Sequence, residues 1–125
     1  MKSGISMNKI NEMINEGLAS AGGGEWIQVP DDYIVYNGPY RRVLNLTNLT
    51  NYNEILYIVP IDTQNNIIFH VLKKEIEYIK ANYSTCITIK SNHTGSYTCI
   101  LQIEKVGNDF QLVSNQTVTP VVFYR

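Results

Sequence analysis

The side chains able to do chemistry are few. The chain has two histidines, His70 and His93, and two cysteines, Cys86 and Cys99. A catalytic triad would need one of these histidines as its base. No Gly-x-Ser-x-Gly elbow accompanies them. Neither has a second His or Cys at ligand spacing, so no metal site is expected. Asp31-Asp32 follows Pro30 and reads as turn chemistry rather than as a catalytic carboxylate pair. Gly22-Gly23-Gly24 is followed by no Lys-Ser/Thr and cannot act as a phosphate loop. The expectation is a non-enzymatic protein with no catalytic residues, metal or cofactor.

One constellation suits binding. Tyr33, Tyr36, Tyr40, Arg41 and Arg42 crowd into ten residues. A tyrosine offers an apolar face and a polar tip, and it stacks on sugars and on proteins. Arginine pairs with carboxylates through a planar fork. Against this stands an ordinary origin: tyrosine is common in strands, and adjacent arginines on a strand point to opposite faces.

Positioning these residues needs a fold, and 125 residues suffice for one domain. The composition is 44% apolar and 17% charged, with net charge −1. The absence of a basic excess argues against nucleic-acid binding and against a polybasic membrane-surface role. The apolar run from Ile55 to Ile61 is far shorter than the ~20 residues of a membrane span, so membrane insertion is not expected. Met1 to Lys9 has no apolar core of a signal peptide, which points to a reducing compartment. The five Asn-x-Ser/Thr sites, beginning at Asn45, Asn48, Asn82, Asn92 and Asn115, then read as polar β surface. Sixteen Ile and nine Tyr against three Ala favour strands over helices.

The chain divides near residue 24. Residues 1–20 read as a helical anchor, with Ser6 as N-cap, Met7, Ile10, Ile14 and Gly17 at a, d, a, d spacing and Met13 and Leu18 beside that stripe, the anchor residues being Met7, Ile10, Ile14 and Leu18. A helix this short is marginal alone, so the stripe needs a partner. Symmetry copies, another protein or the following domain would all serve. Isoleucine at both a- and d-type positions favours trimers. Residues 21–25 form a glycine-rich joint.

From residue 26 to 125 the pattern is short strands. Segments 26–29, 33–36, 41–46, 54–59, 67–72, 84–90, 96–105, 110–113 and 118–124 alternate or run apolar between turn signals. Asn37-Gly38-Pro39 and Gly107-Asn108-Asp109 are the clearest turns, and 91–95 reads as a loop. Residues 74–80 fit either a strand or a two-turn helix. The expected fold is all-β: an antiparallel β-sandwich, jelly-roll-like, after a short N-terminal helix. His70 should lie on the face opposite Phe69 and Val71. Pairing residue 87 with 99 and 89 with 97 gathers an apolar face and points Cys86 and Cys99 apart, so free thiols are expected.

A family resemblance accumulates along the chain. A helix-forming leader, a glycine joint and a compact Tyr/Asn/Ile-rich β domain resemble a fibre or appendage protein of a tailed bacteriophage. Arg41-Arg42-Val43-Leu44-Asn45-Leu46-Thr47, followed by Asn51-Tyr52-Asn53-Glu54-Ile55-Leu56-Tyr57-Ile58, is similar to a phage-fibre step from Asn-Tyr into an apolar strand. The closing Pro120-Val121-Val122-Phe123-Tyr124-Arg125 resembles the last strand of such domains. The resemblance implies a homotrimeric virion protein, made in the bacterial cytoplasm, of head-fibre, tail-fibre or decoration type. It would attach by its N-terminus to capsid, portal or tail proteins and expose its β domain to a host-surface glycan or other adhesion target. A different class, a small carbohydrate-binding module using the 33–42 cluster, fits the same residues.

Overall fold

The computed structural model describes residues 25–61, 66–82, 86–94 and 97–125. The anchor residues Met7, Ile10, Ile14 and Leu18 and most of the glycine joint lie outside the described residues. Among the described residues, nine strands form two antiparallel sheets. They are β1 (Ile27–Gln28), β2 (Ile34–Tyr36), β3 (Arg42–Asn45), β4 (Glu54–Pro60), β5 (Asn66–Leu72), β6 (Ile87–Thr94), β7 (Tyr97–Val106), β8 (Asp109–Ser114) and β9 (Val121–Tyr124). Helix α1 (Lys73–Asn82) follows β5 directly. The four-stranded sheet has the order β1-β9-β4-β5, and the five-stranded sheet β2-β3-β8-β7-β6.

Alternation explains the main core. In β5, Ile67, Phe69 and Val71 are buried while the residues between them are half-buried. Ile55, Tyr57, Val59 and Val122 join them from the rest of that sheet. Ile34, Leu44, Leu101, Ile103 and Leu112 meet them from the other. Burial of each such side chain stabilises by roughly 1.5–3 kcal/mol. The phenol of Tyr57 is fully buried in this core and bonds Ser114 Oγ at 2.7 Å. Strand β4 is different, because all seven of its residues are buried. A strand covered on both faces reads as a continuous apolar run, as Ile55 to Val59 does.

The ambiguous 74–80 segment is helix. The strand alternation stops at Leu72 and the stripe of Ile76 and Ile79 takes over, placing both in the main core. Glu75 at the third helical position accepts the Leu72 backbone N–H at 3.0 Å, half of a capping box. The Lys73 N–H donates to Asn53 O at 2.8 Å and ties the helix start to the chain entering β4.

The register of the β6–β7 hairpin differs from expectation. Ile87 pairs with Ile103 and Asn92 with Cys99, and the strand continues to Thr94 through the residues expected as a loop. The run Ser91–Thr94 belongs to an edge strand, on which Ser91 and Asn92 are exposed. A bulge between Thr88 and Lys90 shifts the pairing once more. The thiols are free all the same. Cys86 lies just beyond the Ile87–Ile103 pair and is exposed, whereas Cys99 is in the core. Burial pushes the Cys99 thiol up to about 11.

Other strands are trimmed at their ends. Tyr33 belongs to a 3-10 turn with Asp31 and Asp32, and Leu46 opens a second one. Asn45 caps that second turn, its Oδ1 accepting the Thr47 N–H at 2.9 Å. The β7–β8 hairpin closes through Gly107-Asn108, with Gly107 at φ +63. Glycine with positive φ at the first central position is what a two-residue type II′ turn requires.

Candidate functional site

The 33–42 cluster is built at an edge of the five-stranded sheet. Pro30 starts the 3-10 turn, and Tyr33 leads into β2, whose outer edge has no neighbouring strand among the described residues. Ile34 points into the core opposite Leu44. The chain then turns at Gly38, where φ is +92, and returns as β3. The Asn37 N–H donates to Arg41 O at 3.0 Å and closes the turn. Val35, Tyr36 and Tyr40 are left 56%, 58% and 69% exposed, and Tyr33 is 38% exposed.

The arginines make internal contacts, and Tyr36 shares in them. Arg42 is buried, and its Nη1 donates to Gly38 O at 2.8 Å and to Arg41 O at 3.0 Å. Its Nη2 donates to Thr117 O. The guanidinium lies 3.9 Å from the Tyr36 ring centroid and backs that ring. The Tyr36 hydroxyl pairs with Thr119 Oγ1. Arg42 thus locks the turn, the ring and the 117–119 segment together. Arg41 makes a two-pronged ion pair with Glu104 on β7, one contact being Nη1 to Oε2 at 2.7 Å. Gln111 Nε2 also donates to Glu104 at 3.0 Å. The hydrogen bond from Arg41 holds the Glu104 carboxyl below the usual carboxylate range, against the opposing effect of burial. Both arginines thus have partners within the protein, Arg42 buried and Arg41 one-third exposed. What remains exposed along this edge is Tyr33, Val35, Tyr36 and Tyr40, with Val35 and Tyr36 on opposite faces of β2.

Val35 was not singled out by the sequence. Its alternation with Ile34 is the signal that could have found it.

A second polar cluster lies on the face of the four-stranded sheet opposite the main core. Glu54 is buried at the start of β4, with His70 Nε2 2.8 Å from Oε1 and Arg125 Nε 3.5 Å from Oε2. Arg125 in turn lies 4.2 Å from the Trp26 ring centroid. His70 sits on the face opposite Phe69 and Val71, as alternation requires, and the carboxylate binds it there. Asp31 and Asp32 are confined to the 3-10 turn. The side chain of His93 lies outside what is described.

Among the described residues, no group of three or more His, Cys, Asp or Glu side chains could hold a metal ion. No described helix is long and apolar enough to cross a membrane. No protein-family model, curated protein or solved structure matches this chain.

Proposed function

We propose that the protein is a non-enzymatic structural component of a tailed-phage virion, a fibre or decoration protein with its β domain projecting for adhesion. In this reading the two sheets form a jelly-roll-like sandwich after an N-terminal helix. The protein is a homotrimer attached to other virion proteins. The residues quoted for the phage-fibre resemblance support the virion setting. One structural observation supports adhesion: Tyr33, Val35, Tyr36 and Tyr40 stand exposed on an edge that Arg42 stiffens from behind. Rigid aromatic side chains offer large contact area at low entropy cost.

The test is binding of the fluorescently labelled full chain to candidate host cells. Tyr36→Ala/Tyr40→Ala should reduce binding at least tenfold, since exposed aromatic anchors dominate such contacts. Equal binding by the variant would remove the tyrosine row from the reading. Antibody labelling of intact particles tests the virion assignment separately. The exposed rings also favour the second reading, a carbohydrate-binding module. Saturable binding to a defined glycan, with no labelling of particles, would favour it.

A further inference from the structure

Asn37-Gly38 is the only Asn-Gly pair in the chain, and it lies in the turn that joins β2 to β3 between Tyr36 and Tyr40. Both residues are exposed. Two hydrogen bonds pin the turn on either side of the peptide unit between them. The Asn37 N–H donates to Arg41 O at 3.0 Å, and Gly38 O accepts from Arg42 Nη1 at 2.8 Å. The peptide unit itself has no such anchor. Among the described residues the Gly38 N–H makes no hydrogen bond, and neither does the Asn37 side-chain amide.

That peptide plane can rotate while both anchors hold, by opposed changes in ψ of Asn37 and φ of Gly38. Gly38 stands at φ +92, and an atom at its Cβ position would meet nothing within 4 Å. Glycine adopts either sign of φ, so no side chain resists the rotation. The same open space admits water. Rotation carries Gly38 N towards Asn37 Cγ, and the Arg42 guanidinium held on Gly38 O favours the deprotonated form of the neighbouring amide. Other asparagines are fastened. Asn45 Oδ1 accepts the Thr47 N–H, Asn82 Nδ2 donates to Tyr78 O, and Asn115 Oδ1 accepts the Ile100 N–H. Each of these three precedes a residue whose side chain hinders attack by its own nitrogen.

We propose that Asn37 is a self-modification site that cyclises onto Gly38 and opens to isoaspartate, loosening with age the turn that holds Tyr36. The Gly38 amide gives its proton to hydroxide, and its nitrogen forms a bond to Asn37 Cγ. The Cγ–Nδ2 bond breaks, and ammonia leaves with a proton from water. Water then opens the succinimide. Cleavage at the Asn37 backbone carbonyl leaves the chain running through Cγ, as isoaspartate, and cleavage at Cγ leaves aspartate. Nothing is oxidised or reduced, and water is the only co-reactant. Isoaspartate adds a methylene to the backbone of a turn whose ends are fixed by the pairing of Tyr36 with Arg42. Gly38 O is carried away from Arg42 Nη1, and the new carboxylate competes for the guanidinium that backs the Tyr36 ring. The chemistry stands apart from the adhesion reading.

The test keeps the full chain folded at mildly alkaline pH and body temperature and follows each asparagine by peptide mass spectrometry. Methylation by an isoaspartyl methyltransferase reports isoaspartate in the same samples. Asn37 should be lost progressively, with isoaspartate as the main product, while Asn45, Asn82 and Asn115 persist. An Asn37 that survives as long as those three overturns the proposal. Conversion confined to chain unfolded in urea also overturns it, because the folded turn would then protect the site. Asn37→Gln, whose longer side chain cyclises slowly, should lose the methylation at this position, and methylation that remains there would place the reaction elsewhere. The Tyr36 ring resonances should shift in aged native protein and not in aged Asn37→Gln. Unshifted resonances in converted protein would overturn the loosening of the turn.

Discussion

Arg41, read in the sequence as a possible ligand-binding residue, is held within the protein by Glu104. Arg41 enters β3 and Glu104 sits on β7, two strands away, so the pair spans the five-stranded sheet across β8. Both ends are partly exposed, at 33% and 19%, which limits the pair to about 1 kcal/mol or less. The sign of its pH dependence follows from the lowered Glu104 carboxyl. A carboxyl whose folded pKa is depressed adds stability above its unfolded pKa and loses it as pH falls through the folded value. The contribution is therefore complete above the ordinary carboxylate value of 4.5 and lost as pH falls below it. Glu104→Gln should lower thermal stability slightly at pH 7 and have a smaller effect well below that range. Melting curves for both proteins across the acid limb check this. A constant difference at all pH values would show that shape, rather than charge, carries the pair.

At the scale of elements, α1 shows how two local patterns can share one segment. Ile68, Leu72, Ile76 and Ile79 fit a helical stripe, while Ile67, Phe69 and Val71 fit a strand. Both are realised in succession, with the switch at Leu72–Lys73. Propensity does not fix that boundary. The backbone bond from Lys73 to Asn53 and the Glu75 cap on Leu72 do. Ile76 is fully buried where the helix meets the main core. Ile76→Ala should destabilise the protein by about 2–5 kcal/mol, the usual cost of a buried isoleucine truncation. Ile76→Val should cost about 1 kcal/mol. Denaturant unfolding of the two variants measures both, and equal costs would mean that the helix is not seated on the core.

At the scale of the whole molecule, the homotrimer of the proposed function sets the expected mass, and the apolar leader stripe of Met7, Ile10 and Ile14 is its candidate seam. Sedimentation of the full chain should give three times 14.2 kDa. Ile10→Asp/Ile14→Asp should lower that mass towards a single chain. A single-chain mass for the native protein would remove the trimer, and a trimer that persists in the variant would move its seam to other surfaces.

The strands, their turns and the inward residues of β5 and β7 were legible in the chain, because the period of two needs no knowledge of the partner strand. The face of His70 and the turn role of Asp31-Asp32 were legible for the same local reason. The reading failed wherever a partner decides. Polar Ser91–Thr94 looked like a loop because its place on an edge strand is a property of the sheet. The wrong β6–β7 register still led to free thiols, because alternation keeps Cys86 and Cys99 on opposite faces under either pairing. The two roles within the Tyr/Arg cluster were invisible for a similar reason. Glu104 and Thr117 lie more than sixty residues from the arginines they hold, and only the packed sheets bring them together. Local sequence thus determined which residues face inward. Tertiary structure decided which charges are consumed as internal fastenings and which aromatic rings remain open, because burial and pairing depend on what the rest of the chain places alongside.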